Sequence, residues 1–241
     1  MRSPAEGAPS LVYLPQLASL APECTIEGEE AHYLSRVVRA RPGERVLATD
    51  GAGLRVTFEV IESRPDVRLR RLVVQQCLQT RSLTLAVGAP EGGRADWLIE
   101  KAAELGATGF TPLDCERGAW KDWRAERLER LAIAGLRQSL GCHRLLVDPP
   151  VRFADWIESQ TEGVSRFEAA PDGVAVVAQP APPSGPSIVA IGPSSGFSNP
   201  ERKALLENGF KALAMAASRL RTETAGVAAA AWWAAADPSI G

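Results

Sequence analysis

The chain has little that would hold a metal, span a membrane or direct secretion. Only two histidines, His32 and His143, accompany four scattered cysteines, Cys24, Cys77, Cys115 and Cys142, with no C-x-x-C pair, so no zinc site is expected. The cysteines read as free thiols of a reducing compartment. The most apolar stretch, Ala225 to Ala236, reaches about half of the roughly 20 residues that a membrane-spanning helix needs and reads as a buried helix. Met1 to Ser10 lacks the basic segment and apolar run of a secretory signal, so a cytoplasmic protein without membrane attachment is expected. Excess positive charge is missing too. With 27 Lys and Arg against 29 Asp and Glu the formal net charge is −2, and any nucleic-acid surface must come from local clustering.

Such clusters exist. Arg36, Arg39, Arg41 and Arg45 lie close together, as do Arg64, Arg68, Arg70 and Arg71; a third group, Arg117 through Lys121, Arg124, Arg127 and Arg130, is interleaved with acids and reads in large part as a solvated helix face. The 241 residues, 45% apolar and 23% charged, suit two domains with ample core. Arg45–Thr49, Leu54–Val60 and Val67–Val74 read as strands, the latter two with the alternation of half-buried β structure, and Asp50-Gly51-Ala52-Gly53 forms the turn between the first two. This predicts a small β-barrel or sandwich.

After about Arg81 short apolar strands alternate with helices, the signature of an α/β sheet. Strands are expected at Leu83–Val87, Val174–Ala178 and Ser187–Ile191, the last two joined by a Pro-rich connection, Pro180 to Pro186. Helices are expected over Arg94–Leu105, with Trp97, Leu98, Lys101, Ala102 and Leu105 on one side and Gly106 as its cap, and over Trp123–Ser139. Two more follow, one opened by Asn199 and Pro200 and running to about Asn208, the other N-capped by Thr222 and running through Trp233.

Two segments carry chemistry. Ser218 to Gly226 packs two arginines, a carboxylate and two threonines before an Ala-rich helix, which is either a helix cap or a functional cluster. Gly192 to Gly196 is a loop between an apolar strand and a helix, where open α/β sheets commonly bind ligands. It also matches G-x-S-x-G, but a serine hydrolase of the α/β fold places its histidine downstream of the serine, and both histidines lie upstream, so that alternative is disfavoured.

Taken in order, His32-Tyr33-Leu34-Ser35-Arg36-Val37-Val38-Arg39, Arg41-Pro42-Gly43-Glu44 with Asp50-Gly51, Glu100 to Gly106, Cys115-Glu116-Arg117, Arg137-Gln138-Ser139-Leu140, the Gly192-Pro193 loop with Gly196-Phe197-Ser198, and Leu220 to Gly226 resemble the RsmE family, the 16S ribosomal RNA uridine N3-methyltransferases of the SPOUT class. The resemblance implies an α/β fold: an RNA-binding PUA-like β-barrel over residues 1–78, then a SPOUT methyltransferase domain over 79–241 with a C-terminal trefoil knot. It implies a homodimer, S-adenosylmethionine as cofactor, and 16S ribosomal RNA or the small ribosomal subunit as partner. Catalysis would fall to Arg221, as electrostatic stabiliser, and Glu223, as proton acceptor or orienter of Arg221. Gly192, Pro193, Gly196, Met215, Ala216, Ser218, Arg219, Leu220 and Thr222 would bind the cofactor, and Arg36, Arg39 and Arg117 the RNA. His32 reads as a packed, hydrogen-bonded side chain, and Lys101 and Glu104 as a helix ion pair. The family usually has Gly-Pro-Glu-Gly at Gly192-Pro193-Ser194-Ser195 and Leu-Gly at Met215-Ala216. If either replaced glycine served a positive φ, the cofactor pocket would suffer, and the alternative is then a catalytically impaired RNA-binding protein of the same fold.

Overall fold

A computed structural model describes residues 10–121, 123–178 and 184–235. Residues 1–9, 180–183 and 236 of the segments read above as leaderless N-terminus, Pro-rich connection and apolar helix end lie outside the described residues. The chain forms two compact units; the first runs up to Gln79 and also takes Leu136–Arg144, and the second holds the rest. The sequence alone marks a single boundary at 78/79 and misses this return of the chain.

In the first unit, β1 (Ser10–Tyr13), β2 (Glu23–Ile26), β3 (Arg45–Thr49), β4 (Leu54–Glu62) and β5 (Val67–Gln76) form one sheet in the order β1-β3-β4-β5-β2. β1 runs parallel to β3 and all other pairs are antiparallel. Alternation decides which side chains enter the core: Val56, Phe58 and Val60 of β4 and Val67 and Leu69 of β5 are buried with Val12, Leu34 and Val46. The β3–β4 turn is held by the Asp50 carboxylate, which accepts the N–H groups of Ala52 and Leu54 at 2.7 and 3.0 Å, while Gly51 and Gly53 adopt positive φ.

Several expectations change here. The short helix α1 (Gly28–His32), continued by a π-helical turn over Tyr33–Val38, leaves His32 exposed rather than packed. Arg36 and Arg39 are exposed on the same segment. In the second arginine cluster, Arg70 pairs with Glu23 and Glu59, Arg68 pairs with Glu62, and Arg71 donates to the Leu20 carbonyl, so three of its members serve the sheet. Cys77 and Cys142 form a disulfide across 65 residues, which corrects the expectation of four free thiols; Cys24 and Cys115 remain free. The two meet because Gly53 donates to the Cys142 carbonyl and Cys77 to the Gly53 carbonyl, a juxtaposition no sequence spacing reveals.

The second unit contains β6 (Arg81–Gly88), α2 (Ala95–Glu104), β7 (Gly109–Asp114), the greater part of α3 (Ala125–Gln138), β8 (Leu146–Val147), β9 (Val151–Arg152), α4 (Phe153–Glu158), β10 (Ser165–Ala175), β11 (Gly185–Ile191), α5 (Asn199–Glu207), β12 (Lys211–Ala214) and α6 (Thr222–Ala235). The sheet is parallel throughout, in the order β12-β10-β11-β6-β7-β8, with β9 also on β7. Its two faces are both covered, as a parallel sheet requires. Leu83, Leu85 and Val87 of β6 pack with Leu98, Ala102, Ala229 and Trp233 of α2 and α6. On the other face Ala86, Leu113 and Ala190 pack with Phe153, Trp156, Leu205 and Phe210 from the α4–α5 side.

Gly106, at φ +80°, closes α2 in a Schellman motif: Ala107 donates to the Ala102 carbonyl and Gly106 to that of Ala103. The buried face of α2 is Leu98, Ile99, Ala102 and Ala103, whereas Trp97, expected on it, is 42% exposed. Lys101 pairs with Glu104 at 2.7 Å and with Glu100 at 2.8 Å. The strand expected over Val174–Ala178 ends at Ala175, and Val176–Ala178 turns into a 3-10 helix. Gly185 and Pro186, expected in the connection, already belong to β11.

Candidate active site

The C-terminal ends of neighbouring parallel strands converge on one cleft of about 480 Å³, within the roughly 300–1,000 Å³ usual for small-molecule sites. The loop after β11 supplies Gly192 to Phe197, the segment between β12 and α6 supplies Met215, Ala216 and Ser218 to Leu220, β10 supplies Ala169 to Pro171 where its pairing with β11 ends, and the turn after β7 supplies Arg117. This is where an open parallel sheet binds ligands, because the strand ends leave a crevice with free backbone groups.

Local hydrogen bonds fix the cleft. Gly196 turns back on Pro193, donating to its carbonyl at 2.7 Å, and its own φ of +75° suits glycine. No atom lies within 4 Å of where a Gly196 side chain would begin, so a ligand can approach the backbone there. The Thr222 hydroxyl donates to the Gly192 carbonyl at 3.0 Å, Arg219 donates to the Ser194 carbonyl at 3.1 Å, and the Ser195 hydroxyl donates to the Arg117 carbonyl at 3.3 Å. Thr222 is thus the first residue of α6, tying two loops together, rather than the N-cap expected of it.

All of Gly192, Pro193, Gly196, Met215, Ala216, Ser218, Arg219, Leu220 and Thr222 line the cleft, together with Arg117. Arg221 and Glu223 do not. Arg221 is exposed at the mouth of α6, and Glu223, 4% exposed, is buried in the first turn of that helix. The two form no ion pair, so Glu223 does not orient Arg221 in this geometry. Its place in the first turn suits the helix dipole.

Ser195 and Ala216 stand at the positions of the two replaced glycines. Arg39 and Leu140 are the only non-glycine residues with positive φ among the described residues, so Ser195 and Ala216 carry no left-handed strain. For the G-x-S-x-G reading, Ser194 is an exposed loop residue, and among the described residues no histidine lines its cleft. Among the described residues no group of His, Cys, Asp and Glu is placed to hold a metal ion, and no helix is long and apolar enough to cross a membrane.

Sequence reasoning missed the polar end of the cleft. Glu168, 7% exposed between Phe167 and Ala169 of β10, accepts from Arg202 Nε at 3.1 Å, and the same guanidinium forks onto Asp172 at 2.8 and 3.1 Å. Burial pushes the Glu168 carboxyl up, against the pull of Arg202, whereas the Arg202 hydrogen bonds hold Asp172 below its ordinary value. The only sequence signal was an acid between Phe167 and Ala169 in a strand.

Residues 78–234 match the RNA methyltransferase domain family and residues 26–69 the RNA methyltransferase PUA domain. The ribosomal RNA small subunit methyltransferase E of Bacillus subtilis (strain 168) is 26% identical over 230 residues, covering 85% of this chain and 87% of that protein. Among solved structures, a probable rRNA-methyltransferase from Porphyromonas gingivalis superimposes with a TM-score of 0.80 at 25% identity, covering 92% of this chain and 96% of that one. The ribosomal RNA small subunit methyltransferase E from Neisseria gonorrhoeae bound to S-adenosyl methionine shares the fold, with a TM-score of 0.80 at 24% identity over 92% of this chain and 95% of that one. The PUA-like domain followed by a parallel α/β domain is therefore shared along nearly the whole length, and the chain belongs to the RNA methyltransferase family.

Proposed function

We propose that this protein transfers a methyl group from S-adenosylmethionine to N3 of a uridine in 16S ribosomal RNA, acting in the cytoplasm as a homodimer. The observation that carries it is the strand-end cleft, whose wall includes Gly192 to Gly196 and Met215, Ala216, Ser218 to Leu220 and Thr222, from the two segments that resemble the cofactor loops of the family. Bound there, S-adenosylmethionine would supply a methyl carbon on a positively charged sulfur leaving group. Gly192, Gly196 and Met215 to Leu220 would hold it largely through backbone groups, which tolerate the side-chain changes at Ser195 and Ala216. The strained-glycine ground for an impaired protein is absent, and methyl transfer is the reading retained.

Uridine N3 must lose its proton before it attacks, and the charge that develops spreads onto the flanking carbonyl oxygens. Arg221 is exposed beside two cleft-lining neighbours, Leu220 and Thr222, where its guanidinium can face those oxygens and stabilise them. Glu223 is the proposed proton acceptor, reached by a small opening of the first turn of α6. Holding base and methyl group in line contributes much of the rate. Arg117 at the cleft and Arg36 and Arg39 on the PUA-like domain are proposed RNA contacts. The trefoil knot belongs to the same proposal, supported by a strand order in which β12 lies outside β10 while β11 lies between β10 and β6.

Titration calorimetry of the purified protein with S-adenosylmethionine, followed by methylation of small-subunit ribosomal RNA and mass mapping of the product, tests this. Binding and a single methylated uridine are expected; absence of cofactor binding sinks the proposal.

A further inference from the structure

The second unit has another cleft, of about 520 Å³, that the methyl-transfer chemistry does not use. Its walls are the loop before α2, with Gly92 and Gly93, and, on the way into and along α3, Ala119, Trp120, Lys121, Arg124, Arg127 and Leu128. Among the described residues, Lys121, Arg124 and Arg127 line it with a single carboxylate, Asp96, which Arg127 engages at 2.7 Å through Nε. Lys121 and Arg124 are exposed, and no other acid among the described residues lines the cleft. In a chain whose formal net charge is −2, this is a local concentration of positive charge inside a concavity. Gly92 and Gly93, at φ +62° and +71°, have no atom within 4 Å of where a side chain would begin, so a bulky group can come against their backbone. The floor is rigid: the Trp120 indole N–H donates to the Val87 carbonyl at 3.0 Å, and the ring meets Phe110 and Trp123 edge-on.

This cleft shares a wall with the first. Arg117 lines the cofactor cleft and Ala119 and Trp120 line this one, while Gly118, between them, approaches the Pro193 ring so closely that an added Cβ would sit 3.1 Å from it. A polynucleotide crossing that wall would present a base on one side and a backbone phosphate on the other.

We propose that this cleft holds a backbone phosphate of the RNA strand next to the methylated nucleotide, with Lys121 and Arg124 as its charge partners. The proposal rests on the RNA methylation proposed above. The charge and planar donors of Arg124 fit a phosphate oxygen pair, and Lys121 adds a point charge.

The test measures binding of 16S ribosomal RNA and of S-adenosylmethionine by the unaltered protein, by a Lys121→Glu, Arg124→Glu double variant, and by a Lys203→Glu, Lys211→Glu control with the same net charge. The cleft variant should keep its cofactor affinity, lose about tenfold or more in RNA affinity, and show a salt dependence shallower by about one to two counterions than the unaltered protein. The control should lose far less. Equal losses in the two variants, or none in the cleft variant, overturn the site while leaving the methyltransferase reading intact. An unaltered protein that binds cofactor but no RNA overturns both.

Discussion

Gly88 ends β6 so close to the Gly192–Gly196 loop that no side chain fits, since an added Cβ would lie 2.4 Å from the Pro193 nitrogen and 3.0 Å from the Gly192 carbonyl carbon. Backbone cannot step aside as a side chain can. Gly88→Ala is therefore expected to destabilise the protein by about 1–3 kcal/mol and to weaken cofactor binding in parallel, read by thermal melting and calorimetry. Thr222→Val probes the same loop from α6. It removes the hydroxyl that reaches the Gly192 carbonyl and should weaken cofactor binding by about 0.5–1.5 kcal/mol. An unchanged affinity would show that other contacts hold Gly192 in place. Cys115 is a different case: burial, with Glu201 and Asp114 nearby, pushes its thiol from the ordinary 9.0 up to about 12. Only the thiolate attacks an alkylating reagent, so at pH 8 the folded protein should leave Cys115 unmodified while the unfolded chain reacts. The raised value also means that the folded state keeps a proton which the unfolded state loses between about pH 9 and 12, so this contribution to stability falls as pH rises through that window. Mass mapping of alkylated peptides against pH checks both, and ready labelling of native Cys115 at pH 8 would contradict its burial.

Helix α5 shows how much one turn can organise. Ser198 and Glu201 form a capping box in which the Ser198 hydroxyl accepts the Glu201 N–H and Glu201 accepts the Ser198 N–H at 2.8 Å; the second Glu201 oxygen accepts the Glu116 N–H at 2.8 Å, anchoring the turn that carries Arg117. Ser198→Ala is expected to cost about 1 kcal/mol. Glu201→Ala should cost more and also loosen Arg117, so urea unfolding ought to rank Glu201→Ala below Ser198→Ala; the reverse order would deny Glu201 its second role. The elements legible in the sequence were those with a clear period, apolar run or punctuation: β3, β4, β5, β6, β11, α2, α3, α5 and α6. What escaped were β7, whose Phe110 to Leu113 are buried together and so show no alternation, the two-residue β8 and β9, the four-residue β1, β2 and β12, all of β10 but its last two residues, and α4, whose six residues are too few for a helical period. The two segments that line the strand-end cleft were legible because motifs mark them. Glu168 was not, because its partner Arg202 lies 34 residues away and only the folded sheet brings them together. Nor could the spacing of Cys77 and Cys142 announce their pairing.

At the scale of the whole molecule, α6 raises the question of what covers it. After Glu223 the helix carries no charged residue through Ala235, and while Ala225, Gly226, Ala229, Ala230 and Trp233 pack inward, Thr224, Ala231 and Ala235 face outward and are exposed. Its inner side is committed to α2, where Gly226 leaves room for Leu98 and an added Cβ would come within 2.7 Å of that side chain. A helix apolar all round is normally buried all round. A second copy of the chain, as the proposed homodimer provides, would supply the missing cover and place two cofactor clefts beside one interface. An exposed alanine on a monomer tolerates substitution within about 0.5 kcal/mol, whereas a carboxylate forced into an apolar interface carries a desolvation cost that an interface avoids only by opening. Ala231→Glu is therefore expected to halve the mass seen by light scattering while leaving the far-ultraviolet circular dichroism of the chain unchanged. A monomeric mass for the unaltered protein, or an undisturbed dimer in the variant, would show that α6 is not the surface through which two copies meet.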